Sequence, residues 1–383
     1  MLLIKNGHIK PITSAELPQG CVLIGDDGKI ISIAQHIDAP EGSQVIDAGG
    51  RLVTPGCVEA HCHIGLSPEF MAGVLESEVN ETTDPLTPQV RAIDGINPMD
   101  RAFSLALEGG VTTACTGPGS ANIIGGTFAA IKLAGKRVDD MIIKAPVAMK
   151  CAFGENPKNY GKKRQKAPKT RMAVAAMFRE LLFKTQNYLE AKESGKNPTF
   201  DMKLEAMLPV IRGELPLKVH AHRADDIFTA LRIVKEFNLK MTLDHCSDGM
   251  LIAEELAKEN IPVFVGPGMG KRSKQELEHK SFATAGVLHK AGLKVCIITD
   301  ALVSPLHFLP LCAGLAAAEG LPMEEAWKAI TINPSEALGI ADRVGSLEPG
   351  KDGDVVIWTA DPLTTIGGKA YTTIVDGKIV HQL

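Results

Sequence analysis

The segment EAHCHIG, residues 59–65, sets His61 and His63 on either side of Cys62, directly after the apolar run RLVTPGCV. Two histidines so placed are either metal ligands or polar side chains that happen to close a strand, and the pair alone leaves both open. Similar residues close other apolar runs: His220 in KVHAHR, His245 in MTLDHC and Asp300 in VCIITD, with Glu155 just past MKCAF. Each has a bland explanation, since a strand-end histidine is often a rim residue and an aspartate often caps the next helix. Together they are nitrogen and oxygen donors of the kind that hold Zn²⁺ and related divalent ions. Lys150 lies inside the apolar run VAMKCAF, where an unpaired ammonium is costly to bury. Carbamylation would turn it into a carboxylate able to span two ions. Glu155 could do the same unmodified, and is preferred because it lies past the end of the run. His222 and Arg223 adjoin His220 and are candidates for substrate contact. Arg223 could grip a substrate carboxylate in bidentate fashion or pair with Asp225 or Asp226. Tyr160 and the basic stretch around it are weaker candidates for substrate contact.

For these residues to meet, the elements carrying them must converge. Eight short apolar runs recur between residues 51 and 300: RLVTPGCV, GVTTACT, GGTFAAIKL, APVAMKCAF, PLKVHAH, KMTLDH, IPVFVG and LKVCIITD. Amphipathic stretches such as MDRAFSLALEGG and ADDIFTALRIVKEFN lie between them. This alternation predicts parallel βα units, and their number suits a (β/α)8 TIM barrel of the α/β class, with a doubly wound sheet as runner-up. In a barrel the C-terminal strand ends share one face, so the imidazoles and carboxylates would gather in one mouth. The two chain ends differ in texture, with alternating runs punctuated by Asp-Gly, as in CVLIGDDGKIISIA and YTTIVDGKIV. They predict antiparallel strands and, taken together, a small composite β-sandwich domain from 1–53 and 344–383, leaving 54–343 to the barrel. Residues 66–98 read as a long insertion of the kind that forms lids or covers. The basic run at 158–171 reads as a solvated loop. GPGSANIIGG lacks the glycine spacing of a phosphate loop.

Of the 383 residues, 45% are hydrophobic and 22% charged, the profile of a globular chain with a large core. A net charge of −4 gives no reason to expect nucleic acid. The apolar run at the N-terminus is too short for a signal peptide. The most apolar later window carries two prolines and a histidine, so no membrane span is expected. The eight cysteines form no C-x-x-C pair, which suits core filler in a reducing, cytoplasmic setting.

With those residues in view, the chain resembles the amidohydrolase superfamily, in particular its imidazolonepropionase-like branch. The resemblance covers nearly the whole chain. TPGCVEAHCHIG is similar to the family's strand-one metal motif, VHAHRADD to the fifth-strand histidine segment, and Thr299–Asp300 to the catalytic aspartate. GVTTACTGPGSANIIGG, TINPSEALGI and GSLEPGKDGDVVIW are similar to its structural signatures. The resemblance implies a barrel joined to a sandwich, and one or two divalent ions, Zn first, with Mn, Fe or Co as alternatives. It implies that His61, His63, the bridging acid and Asp300 hold the more buried ion, and that His220 and His245 hold the second. The implied reaction is attack of metal-bound hydroxide on a C–N amide bond in a cyclic amide, N-acyl amino acid or dipeptide, with Asp300 as general base and then acid. Deaminases of heterocycles in this group commonly carry a Glu three residues after the fifth-strand histidine. Counting from His220 or His222, this chain has Arg223 or Asp225 there, so deamination and a non-catalytic scaffold remain alternatives. Asp300 is followed by Ala301, where related sequences often have His. A small-molecule substrate and a homo-oligomer are expected.

Overall fold

The computed structural model describes residues 1–69, 77–301 and 303–383. Five strands open the chain: β1 (Leu2–Ile9), β2 (Leu17–Ile24), β3 (Ile30–Ala34), β4 (Gln44–Asp47) and β5 (Leu52–Pro55). Eight follow: β6 (Cys57–Cys62), β7 (Val111–Thr116), β8 (Ile124–Lys132), β9 (Ile142–Ala152), β10 (Leu217–Ala221), β11 (Met241–His245), β12 (Val263–Val265) and β13 (Val295–Ile297). Three close it: β14 (Val355–Trp358), β15 (Ala370–Val375) and β16 (Lys378–Gln382). The opening and closing groups share one hydrogen-bonded sheet, ordered β16-β15-β14-β5-β1-β2-β3 with β4 beside β1. Its alternating strands bury Ile4, Val22, Val53, Val355 and Ile374 in a core of their own. The chain leaves this sheet at Gly56, where a Cβ would fall 2.1 Å from Thr112 Oγ1, so only glycine lets the strands pass so closely.

The middle strands form the second sheet, in chain order from β6 to β13, wrapped by helices that include Arg171–Glu193, Ala224–Glu236 and Ala283–Lys290. Local signals start two of the helices, Arg171–Glu193 and Met202–Ile211. Thr170 accepts from the Ala173 N–H and Asp201 from Lys203 and Leu204, each supplying an N-cap. One expectation fails. β8 runs antiparallel to both β7 and β9, so the α/β barrel is not a uniform run of eight βα units. Its flanking connections span only residues 117–123 and 133–141, whereas a parallel return needs about a dozen residues or more. The basic run also departs from expectation: residues 155–164 are helical, and Arg164 donates to Thr82 O and Asn122 Oδ1.

β6 and β13 meet at the seam of the barrel without a regular ladder among the described residues. A carboxylate joins them. Glu59, fully buried on β6, accepts from the Thr299 N–H at 2.8 Å and hydroxyl at 2.6 Å through Oε2, and from the His61 N–H at 2.9 Å through Oε1. The His63 N–H adds a bond to Ala301 O at 2.7 Å.

A second polar joint ties the two sheets together. Lys132 of β8 places Nζ 2.6 Å from Asp354, 2.9 Å from Asp352 and 3.2 Å from Asp376. Replacing Lys132 with Met would strand buried carboxylates, although Lys29 and Arg343 still pair Asp352. The expected loss is about 3 kcal/mol, read as a lower urea midpoint with an unchanged slope. Among the described residues no helix is long and apolar enough to cross a membrane. All eight cysteines are free and buried.

Candidate metal centre and cleft

His61 lies on β6 and His63 just past it, Lys150 on β9, His220 on β10 and His222 just past it, His245 at the end of β11, and Asp300 beyond β13. These are C-terminal strand ends, the face on which barrel enzymes carry their chemistry. Side chains two apart on a strand share a side, so each His-x-His motif sends both rings to the same mouth. Lys150 is in register with Lys218 of β10. Both ammonium groups lie over the Phe128 ring, at 5.6 and 5.4 Å from its centroid, so Lys150 points into the barrel. Asp244 and His245 are consecutive yet both reach His61, which has Nδ1 2.8 Å from Asp244 Oδ2 and its ring 5.1 Å from that of His245. A left-handed backbone at His245, with φ of 77°, breaks the strand's alternation and lets this happen. Asp300 also has positive φ, at 51°.

The proton inventory identifies what this cluster lacks. His63 Nδ1 lies 2.6 Å from Gly117 O, and His245 Nδ1 2.8 Å from Gly266 O. A carbonyl only accepts, so each Nδ1 carries the hydrogen and each Nε2 presents a lone pair. Asp244 orients His61 in the same sense. Burial pushes His61 down and His245 to about 3, which keeps those two rings neutral. Asp300 Oδ1 nevertheless sits 3.2 Å from His63 Nε2 and 3.4 Å from His61 Nε2. It and His245 Nε2 are buried without a hydrogen-bond partner among the described residues. Electron pairs so arranged repel one another unless a cation lies between them, which is the environment a divalent ion fits. Lys150 Nζ is 3.5 Å from His61 Nε2, and burial lowers its pKa to about 8. A second group adjoins the first: one ligand atom each of His220, His222 and His245 lie within 4.8 Å of one another. Burial holds His220 and His222 well below the usual histidine range.

Not every expected residue reaches the mouth. The Glu155 carboxylate accepts from the Glu276 N–H at 3.2 Å, while Glu276 accepts from the Glu155 N–H at 2.8 Å. Of the two candidates for a bridging group, Lys150 is the one beside His61. Arg223 grips Asp225 through two 3.0 Å hydrogen bonds, and Tyr160 stacks with Lys163. Neither lines the cleft described next. His222, a candidate for substrate contact in the sequence, stands instead with the ligand-type histidines, a place that the repeat of His-x-His at 220–222 signalled. One residue of the cluster went unnoticed in the sequence. Asp244 bridges His61 to the buried Lys218, which also donates to Ala60 O at 2.9 Å. Only its adjacency to His245 hinted at it.

Above the cluster opens a cleft of about 500 Å³, with His63, His220, His222, His245 and Asp300 in its lining. The insertion supplies one wall through Ser67, Pro68, Ser77, Val79 and Asn80. Residues 70–76 of the expected cover lie outside the described residues.

Three comparisons agree with this geometry. The model of the amidohydrolase family matches residues 52–380. The chain superimposes on an amidohydrolase from Thermotoga maritima MSB8 with a TM-score of 0.96, 39% identity and 100% of both chains covered. It is 28% identical to amidohydrolase tasK of Hapsidospora irregularis over 89% of this chain, but spans only 37% of that protein's length. It is 25% identical to an imidazolonepropionase of Bacillus velezensis over 87% of this chain and 82% of that one.

Proposed function

Because the chain belongs to the amidohydrolase family, we propose that it is a metal-dependent hydrolase that opens a C–N amide bond in a small molecule. The observation carrying this reading is the convergence of His61 and His63, through their Nε2 atoms, on the Asp300 carboxylate, with Lys150 alongside. His61, His63, Asp300 and Lys150 would hold one ion, and His220, His222 and His245 the other, with Zn²⁺ the best match to such donors. When bound, the ions supply Lewis acidity, polarising the carbonyl and acidifying a water. The protein residues do the rest. Asp300 borders the cleft, takes a proton from the attacking water and returns it to the leaving nitrogen, so that amide and water become acid and amine. Asp244 keeps His61 in the tautomer that ligation needs. The Arg223–Asp225 pair occupies the two positions at which a deaminase's glutamate would stand, which favours amide hydrolysis over deamination.

Lys150 joins this set after its neutral amine adds to carbon dioxide, forming a carbamate and releasing a proton. Its pKa near 8 leaves the ammonium dominant below that value and the reactive amine above it. Labelled bicarbonate should therefore give a carbamate signal by NMR that grows from about pH 6.5 to about pH 9.5, and Lys150→Ala should abolish it. A pH-independent signal, or one surviving Lys150→Ala, would contradict the assignment. The hydrolase reading itself is tested by elemental analysis and by turnover of N-acyl amino acids, dipeptides and cyclic amides. About two equivalents of metal and hydrolysis within that panel are expected. Failure to bind zinc or manganese on reconstitution would overturn it.

A further inference from the structure

The cleft is unbalanced in charge. Among the described residues that line it, Asp300 is the sole carboxylate, against Lys271, Lys274 and Lys280. The three lysines differ in what they do. Lys280 is buried and donates to the carbonyls of Met269 at 2.9 Å and Gly270 at 2.8 Å, so it shapes the loop on which the other two ride. Lys271 is exposed at the rim. Lys274 is the inner one, with its side chain 31% exposed and Nζ 3.5 Å from Glu276 Oε1. The same Glu276 oxygen lies 4.0 Å from His222 Nε2, and Lys274 lines the cleft together with His220 and His222, which places it beside the second histidine group.

That position has a cost. Glu276 is a divided partner, since its other oxygen accepts from the Glu155 N–H and Oε1 lies 4.0 Å from His222 Nε2. An ion held by His220, His222 and His245 would repel the ammonium, because none of these ligands brings a negative charge. A lysine between a cation site and open solvent is favourable when the incoming molecule carries a compensating anion.

We propose that Lys274 is a specificity-determining residue that binds a carboxylate of the substrate, so that the substrate class is an amide bearing a free carboxylate close to the scissile bond. This rests on the hydrolase reading for the word substrate, but the anion subsite stands on the cleft's own residues. Lys271, at the rim, steers such anions inward. Arg223, for which the sequence left open a substrate carboxylate or an acidic neighbour, is paired with Asp225.

The test uses metal-loaded protein and probes that cannot turn over: N-methanesulfonyl derivatives of glycine, alanine, leucine and phenylalanine, each against the matching N-methanesulfonyl amino alcohol. Calorimetric titration should show at least one acid binding about tenfold or more tightly than its alcohol, with the preference shrinking as salt is added. Lys274→Met should remove most of that preference while leaving the alcohols' affinity and the metal content unchanged, and Lys274→Arg should restore part of it. Equal binding of acids and alcohols, no acid binding at all, or a preference that survives Lys274→Met would overturn the proposal. So would a loss in Lys274→Met that strikes acids and alcohols alike. Turnover is read separately on the same preparations. Acid-selective binding without hydrolysis of any amide would sink the hydrolase reading and leave the subsite standing, whereas hydrolysis without acid preference would do the reverse.

Discussion

Asp300→Asn is expected to lower kcat on any amide the protein hydrolyses by about a thousandfold. The substitution keeps the size and one acceptor oxygen of the side chain but removes both its charge and its capacity to take a proton. In the mouth of the barrel no other described carboxylate borders the cleft, so nothing nearby inherits the proton transfer. Metal should be retained in part, because His61, His63, His220, His222 and His245 come from other strands. Steady-state kinetics and elemental analysis on the same preparation separate the two effects. A kcat within about tenfold of the parent, with metal bound, would remove Asp300 from the proton path.

Glu59→Ala is expected to destabilise the fold by about 4 kcal/mol, the largest single loss anticipated outside the proposed metal ligands. Three donors lose their acceptor at once: the Thr299 N–H, the Thr299 hydroxyl and the His61 N–H. All lie at the seam where β6 and β13 have no ladder to fall back on. Burial opposes the charge on Glu59 and raises its pKa to about 7, while these donors pull the other way. The glutamine variant keeps an acceptor oxygen and the volume, so Glu59→Gln should lose less than half as much. Urea unfolding of both variants decides the matter. Equal losses would mean that neither the side-chain volume nor the single acceptor oxygen kept by glutamine holds the seam, and that the full carboxylate does. Because Glu59 sets the His61 and Thr299 backbones, and Thr299 precedes Asp300, Glu59→Ala should also weaken metal binding.

The sequence by itself determined a good deal of this protein. Seven of the eight apolar runs became barrel strands, legible because a buried strand must be a short apolar stretch bounded by breakers, a local property of the chain. The first, RLVTPGCV, falls mostly in β5 of the terminal sheet, and the barrel's β6 begins only at its end. The strand-end histidines and Asp300 were legible too, since ligand-type residues stand out against such runs. The antiparallel course of β8 was also written there, in connections too short for a parallel return, though the pattern of runs alone suggested uniform βα units. What only the tertiary structure decided is which side chains meet. Glu155 and Lys150 are five residues apart and chemically interchangeable as bridging acids on paper. Strand register turns Lys150 inward, while the loop bearing Glu276 holds Glu155 aside. For Arg223 the sequence left open a substrate carboxylate or a pair with Asp225 or Asp226, and the fold chose Asp225, while Lys274 lay unremarked in a basic loop until the fold brought it into the cleft with His220 and His222. Glu59 and Asp244 belong to the same class. Their partners lie far along the chain or on another strand, and no local pattern encodes a distance between residues that approach each other only when the sheet closes.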